Sequence, residues 1–529
     1  MANPWDGAAK DQWGNQPQYN NNYQPAYAPG PTPQYAPPSG HPPPNQTNFN
    51  GEYAPEKSPY EGDRFKPKKR INDPLFLIFF IAQFAGFVVV SALAISEWVK
   101  QGGLGGSIGG GDHTGNSVTL NYHTVVILLL ATAAAVIFSV LYLILIRAFT
   151  RVIMHITLVL TIALNIGICI YYWITRYWSG AIIFTVIALI SIFAYFGYRS
   201  RIPLASLLLQ VVMDVAKHHK SVYVVAFLAL ILQAVFSAYY TFTAIATYAK
   251  WTPGNPSCST GTSCSSSTVA GLIFFETFSF LWTSQVIGNV ALATMAGGPF
   301  GSWYYFGPRE QGQMPPHPTL SAFVRASTLS LGSMAFGSLI VTILEIIRLL
   351  ISIARNAASQ EGHPIEVCLA LCAECFMSCL EGLVQYFNRY AYIEIALYGK
   401  PYLKAAKDTW GLFVDRGIDA LVNDSLVGMT LTWGAYIVGI LASLFAYIYL
   451  RSTHPSYNVD GQYTAPIILF AFLIGIQCSL TLTSAIEAGV STIFVGLGED
   501  PQVLAYRAPE LFGLIASTYP RVVQGVQRV

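Results

Sequence analysis

On the sixth of the chain's long apolar runs, Phe275, Phe278, Trp282, Gln285 and Asn289 recur at intervals of three, four, three and four residues. That spacing puts them in one stripe on a helix, with Glu276 one position round. The first half of the stripe is aromatic and the second half carries amides. Aromatic faces beside a carboxylate suit a quaternary or alkylated ammonium ion, whose diffuse charge is held by cation–π attraction. The eighth run carries a second stripe, Glu374, Ser378, Glu381, Gln385, Asn388 and Tyr392, with Arg389 beside it. Glu345 and Arg348 are i, i+3 partners on the seventh run, Glu487 lies in the tenth, and Tyr239 and Tyr240 lie in the fifth. Taken on residues alone, this chemistry points to a transporter or channel for a small organic cation. The plainer alternative is interhelical hydrogen bonding that only holds a bundle together, at about 0.6 kcal/mol per group.

The elements that must position these groups are ten apolar runs: Leu75 to Ser96, Thr124 to Ile146, Val152 to Ile174, Ala181 to Tyr198, Val222 to Tyr248, Val269 to Ala296, Ala322 to Ser352, Ile365 to Tyr398, Leu426 to Leu450 and Ala465 to Leu497. Each is close to or above the roughly 20 residues that a helix needs to cross a bilayer. Charged residues make up only 11% of the chain and hydrophobic ones 53%, far from the balance of a soluble domain. The sequence therefore predicts an all-α polytopic membrane protein with ten transmembrane helices. A charged group within such a span is expensive and faces other helices or a water-filled route.

Lys and Arg set the orientation. With every run crossing once, twenty of them fall in loops on the side of the N-terminus, against Lys100, Arg176, Lys250, Arg355 and Arg451 on the other side. The positive-inside rule then places both termini in the cytoplasm. The eighth run, which holds Glu366, Glu374, Glu381, Arg389 and Glu394, is the least apolar. It must still cross, because skipping it would move the later basic loops outside.

Three regions follow. Residues 1–70 hold 14 of the 30 prolines among Asn, Gln, Gly and Tyr, a composition that cannot bury enough apolar area to fold, so a disordered cytoplasmic tail is predicted. No apolar run precedes Leu75 to form a signal peptide. Residues 71–500 form the transmembrane domain, and 501–529 a cytoplasmic C-terminal tail. The segment Ala405 to Leu421 mixes Trp410, Phe413, Ile418 and Leu421 with charges and is expected along the inner interface.

Cys258 and Cys264 fall in a Ser-, Thr- and Gly-rich external loop, where an oxidising environment predicts a short disulfide. Cys368, Cys372, Cys375 and Cys379 share one helical face; a tetrahedral metal site needs ligands from several directions, so packing or lipid contact is expected and no metal. No Walker-type phosphate loop, zinc-protease helix, Gly-x-Ser-x-Gly elbow or dinucleotide fingerprint is present. No enzymatic activity and no cofactor are predicted. A net charge of +2 gives no reason to expect a nucleic-acid partner.

Several motifs resemble the choline transporter-like family. They are Ser321-Ala322-Phe323-Val324-Arg325, Gly332-Ser333-Met334-Ala335-Phe336-Gly337-Ser338-Leu339-Ile340 with Arg348, Cys379-Leu380-Glu381, Phe387-Asn388-Arg389-Tyr390-Ala391-Tyr392-Ile393 and Ala396-Leu397-Tyr398-Gly399-Lys400. The clear part covers about 270 to 500. The Asn- and Pro-rich tail and the short first external loop are similar to the fungal branch. The resemblance implies a plasma- or organelle-membrane transporter of choline or a related small organic amine. Arg348, Glu381, Asn388 and Arg389 match the family's pattern, whereas Glu276, Glu345 and Ser491 depart from it.

The resulting expectation is a plasma-membrane transporter or facilitator for choline or a related amine. Phe275, Phe278, Trp282 and Tyr239 form its cation-binding wall, with Glu276 as counter-charge, and Gln285, Asn289, Glu381 and Gln385 line the route. Glu345, Arg348, Asn388, Arg389 and Glu487 serve structure or gating. Two other readings stay open: a membrane adaptor or stress sensor acting through its N-terminal tail, and a channel for small polar solutes.

Overall fold

The computed structural model describes residues 70–100, 122–176, 178–253, 264–307, 314–362, 364–416, 419–454, 461 and 464–518. The expected disordered tail therefore lies outside the described residues, apart from Arg70. So does Cys258 of the expected disulfide. All described residues belong to the unit Ser58–Val529.

Every element among them is helical. In chain order these are α1 (Pro74–Lys100), α2 (Tyr122–Ala148), α3 (Thr150–Ile174), α4 (Trp178–Arg199), α5 (Ile202–His218), α6 (Ser221–Trp251) and α7 (Ser266–Met295). The second half of the chain adds α8 (Gly301–Phe306), α9 (Pro318–Val324), α10 (Leu331–Glu361), α11 (Pro364–Tyr398), α12 (Tyr402–Arg416), α13 (Asp419–Thr453), α14 (Thr464–Glu499), α15 (Pro501–Arg507) and α16 (Pro509–Thr518). Ten are long and apolar enough to cross a membrane: α1 to α4, α6, α7 continued into α8, α10, α11, α13 and α14. They coincide with the ten runs of the sequence, the charged eighth among them. Their outward faces carry large apolar side chains such as Leu75, Phe193, Leu228, Ile365 and Leu383, as a lipid-facing surface requires.

The spans pack in two groups. In one, α1 lies on α6 and α10, and α7 lies on α6, α10 and α11; in the other, α13 and α14 pack on each other and on α2. The groups meet where α14 contacts α6 and α11. Helix α5 does not cross. At 17 residues it is too short for the bilayer, and it buries Leu204, Leu208, Leu209, Val212 and Val215 beneath α3, α13 and α14. Helix α12 has Leu403 and Trp410 exposed and Tyr402 and Ala405 buried, the one-sided pattern of a helix lying along a surface.

One end of the bundle is tied by a polar network. Asn72, before α1, donates from Nδ2 to the carbonyl oxygen of Gly399 at 3.0 Å. Asp73 accepts from Ser333 Oγ at 2.6 Å and from the Tyr402 backbone N–H at 2.8 Å. Lys400 Nζ sits 2.8 Å from both Glu394 Oε2 and Asp408 Oδ2, and 3.7 Å from Glu499 Oε1. Burial works to lower the Lys400 pKa, but the surrounding carboxylates outweigh it and raise the value above the usual lysine range. At the same end burial pushes the Tyr402 phenol up to about 12.

Candidate functional site

Helices α6, α7, α11 and α14 do not close fully on one another. Between them lies a cavity of about 350 Å3, within the usual range of small-molecule sites. It is placed at mid-depth, displaced toward the Lys400 end, because α7 contributes Gln285 to Met295, α11 contributes Gln385 to Tyr392 and α14 contributes Gln477 to Ala488. Helix α6 supplies Ala226, Ala229, Leu230 and Gln233.

Five side chains singled out in the sequence for the route or for gating reach this wall: Gln285, Asn289, Gln385, Asn388 and Arg389, with Glu487 facing them from α14. Arg389 Nη2 lies 2.9 Å from Glu487 Oε2. Gln285 donates from Nε2 to Glu345 Oε1 at 2.7 Å, Asn289 from Nδ2 to Ser338 Oγ at 2.9 Å, and Gln385 from Nε2 to Glu381 Oε1 at 3.1 Å. Asn388 donates to the Gly337 carbonyl at 3.1 Å and accepts from the Tyr402 hydroxyl at 2.6 Å. Gly337 has to be glycine for this, since a Cβ there would run into the Tyr392 and Tyr402 rings. Glu345, Glu381 and Arg348 stand behind the wall; Arg348 Nη1 is 3.3 Å from Glu381 Oε2. Farther along the same helix pair, Arg355 Nη1 meets Glu374 Oε2 at 2.5 Å.

The aromatic half of the α7 stripe lies elsewhere. Trp282 is fully buried. Its Nε1 donates to the Ala335 carbonyl at 2.9 Å, and its ring is packed by Phe79, Phe80 and Phe278 at centroid distances of 5.2, 5.4 and 5.5 Å. Phe275 approaches Gly86 of α1. Tyr239 bonds to Ser91 of α1, and Glu276, also fully buried, accepts from Thr247 Oγ1 at 2.5 Å. None of these five lines the cavity. The physical reason is α1: it lies against α6, α7 and α10 along this stretch and fills the space in front of the aromatic faces, while the amide half of the stripe extends past it.

Toward the Lys400 end the cavity is closed. After Met295 the α7 backbone loosens into a π-helical turn, Ala296–Phe300, where Gly298 leaves helical geometry at φ −99°, ψ −107° next to Pro299. Such breaks are tolerated at membrane depth when protein surrounds them, and all five residues are buried. The Gly297 carbonyl accepts from Arg325 Nη2 at 3.0 Å. Below the turn Phe300, Tyr304, Tyr305, Tyr390, Leu397 and Phe494 form a buried layer. Gly489 of α14 lets Phe300 and Val212 approach its backbone. Beneath that layer, Tyr305 bonds to Tyr398 at 2.6 Å and donates to Asp500 Oδ2 at 3.0 Å.

Sequence reasoning passed over Gln233, Gln477, Thr481 and Ser484, which also line the cavity. The signal was present for the two glutamines, each a lone amide in an otherwise apolar run. Cys368, Cys372, Cys375 and Cys379 are all exposed on α11, and no group of three or more metal-ligating side chains forms among the described residues.

A family model described as plasma-membrane choline transporter matches residues 182–502. The chain belongs to the choline transporter-like family. The matched stretch contains every cavity-lining residue. The chain is 61% identical over 468 residues to Protein PNS1 of Cryptococcus neoformans var. neoformans serotype D (strain JEC21), covering 88% of this chain and 85% of that protein. It is 42% identical over 485 residues to Protein PNS1 of Mycosarcoma maydis (91% and 90% covered) and 37% identical over 486 residues to that of Candida albicans (91% and 93% covered). This is a multi-pass, transporter-like membrane protein of a type found in many fungi.

Proposed function

We propose that this choline transporter-like protein carries choline or a related small organic amine across the plasma membrane by alternating access. The observation that carries the reading is the cavity itself: a mid-depth hollow lined by amides and the Arg389–Glu487 pair, closed at one end by the layer of Phe300, Tyr304, Tyr305 and Phe494. A hollow sealed on one side suits a carrier that opens to each face in turn better than a continuous pore. The distribution of Lys and Arg among the loops supports a cytoplasmic Lys400 end, which would make the sealed side the inner one. Carboxylates in and behind the wall, Glu487, Glu345 and Glu381, favour a positive solute over an anion. The test is uptake of labelled choline into liposomes containing the purified full chain. Saturable uptake that disappears with Arg389→Ala supports the reading; lack of saturable uptake of any small amine overturns it.

A further inference from the structure

The cavity wall has a direction. Six amide side chains line it, and five of them spend the NH2 group on protein: Gln233 on the Ser284 carbonyl at 3.2 Å, Gln285 on Glu345, Asn289 on Ser338, Gln385 on Glu381 and Asn388 on the Gly337 carbonyl. A carboxylate or a carbonyl accepts and cannot donate, so four of these partners fix which way round the amide sits. Asn388 has its carbonyl satisfied by Tyr402. For Gln233, Gln285, Asn289 and Gln385 the carbonyl oxygen is the group left for a solute. The hydroxyls of Thr481 and Ser484 turn the same way, since each donates to a carbonyl of its own helix, at 2.8 Å in both cases. Only Gln477, exposed on the wall, keeps an uncommitted NH2 among these amides.

From this geometry we infer that the cavity selects solutes by their hydrogen-bond donors, taking an ammonium that retains N–H bonds in preference to a fully methylated one, and that Glu345 and Glu381 are the positioning residues that hold Gln285 and Gln385 in the accepting orientation. The inference rests on the transport reading above. Among the described residues, Tyr392 is the only aromatic one on the wall, so the cavity holds little of the cation–π surface that a quaternary ammonium prefers. A carbonyl oxygen instead rewards each N–H aimed at it, and charge on the donor strengthens the bond.

The experiment measures uptake into liposomes of four labelled amino alcohols, 2-aminoethanol and its mono-, di- and trimethylated derivatives, by the wild type and by Glu345→Gln, Glu381→Gln and the double variant. In each variant the new amide pairs with Gln285 or Gln385 either way round, so the wall loses its direction while the packing volume is kept. The inference predicts that uptake efficiency falls along the series in the wild type, by roughly tenfold or more from first to last. The same ratio should shrink to about threefold or less in the double variant, with uptake of the trimethylated member kept. Equal or rising efficiency with methylation in the wild type overturns the inference while leaving transport standing. An unchanged ratio in the double variant removes Glu345 and Glu381 from it. No uptake of any member removes the transport reading and the inference together.

Discussion

Arg389 on α11 and Glu487 on α14 pair at 2.9 Å on the cavity wall, and they join the two groups of spans where those groups meet. Each is partly buried, so removing one charge takes a direct ion-pair partner from the other. Arg389→Met or Glu487→Met is expected to lower stability by about 1–2 kcal/mol, with the double variant recovering part of the loss. Thermal unfolding of the four proteins in detergent measures this as a double-mutant cycle. Additive effects would show that the pair is not coupled.

Trp282 gives a contrasting prediction, because its ring fills the space among α1, α7 and α10 and does not reach the cavity. Trp282→Phe keeps most of the packing and removes the donor to Ala335. The Ala335 carbonyl keeps its helical bond, so loss of the extra hydrogen bond should cost about 1 kcal/mol in stability, while the half-saturation concentration for uptake stays within about twofold, a change below the ~0.6 kcal/mol of RT. A large rise in half-saturation at normal stability would instead put the aromatic cluster in contact with the solute.

Lys400 stands within reach of three carboxylates, and its pKa is raised. A cation whose folded-state pKa exceeds its unfolded value contributes stability that is complete at pH below about 10.5 and is lost as pH rises through the raised value. Lys400→Met should therefore be less stable than the wild type by about 1–2 kcal/mol at neutral pH, since it removes the cation shared by Glu394, Asp408 and Glu499. The gap should narrow only above the lysine range. Melting curves of both proteins across alkaline pH decide it; a gap that closes near neutral pH would assign the stabilisation to another group.

Much of this architecture could be read from the chain because lipid imposes a strict rule: a spanning helix needs a long apolar run, and the alternation of Lys and Arg settles whether a run as charged as Ile365 to Tyr398 crosses. Helix α5 escaped that rule. Its apolar residues Leu204, Leu208, Val212 and Val215 cover one face of a helix too short to span, and their partners on α3, α13 and α14 are distant in sequence. The stripes on α7 and α11 were visible as polar faces turned away from lipid. Where each stripe meets a hollow was not, because that depends on α1: a helix some 200 positions earlier packs Phe79 and Phe80 against Trp282 and leaves Gln285 and Asn289 on the cavity wall.

The most direct test of the central claim fills the cavity without touching its polar groups. Ala229 lines the cavity from α6, whereas its neighbour Leu228 is exposed on the outward face. Ala229→Phe places a ring in the solute's space, and Leu228→Phe places the same ring outside it. Uptake of labelled amine by liposomes is predicted to collapse in Ala229→Phe and to match the wild type in Leu228→Phe, with both proteins folded by thermal melting. Uptake in Ala229→Phe equal to that of the wild type in rate and half-saturation would contradict the assignment of this cavity as the carrier site.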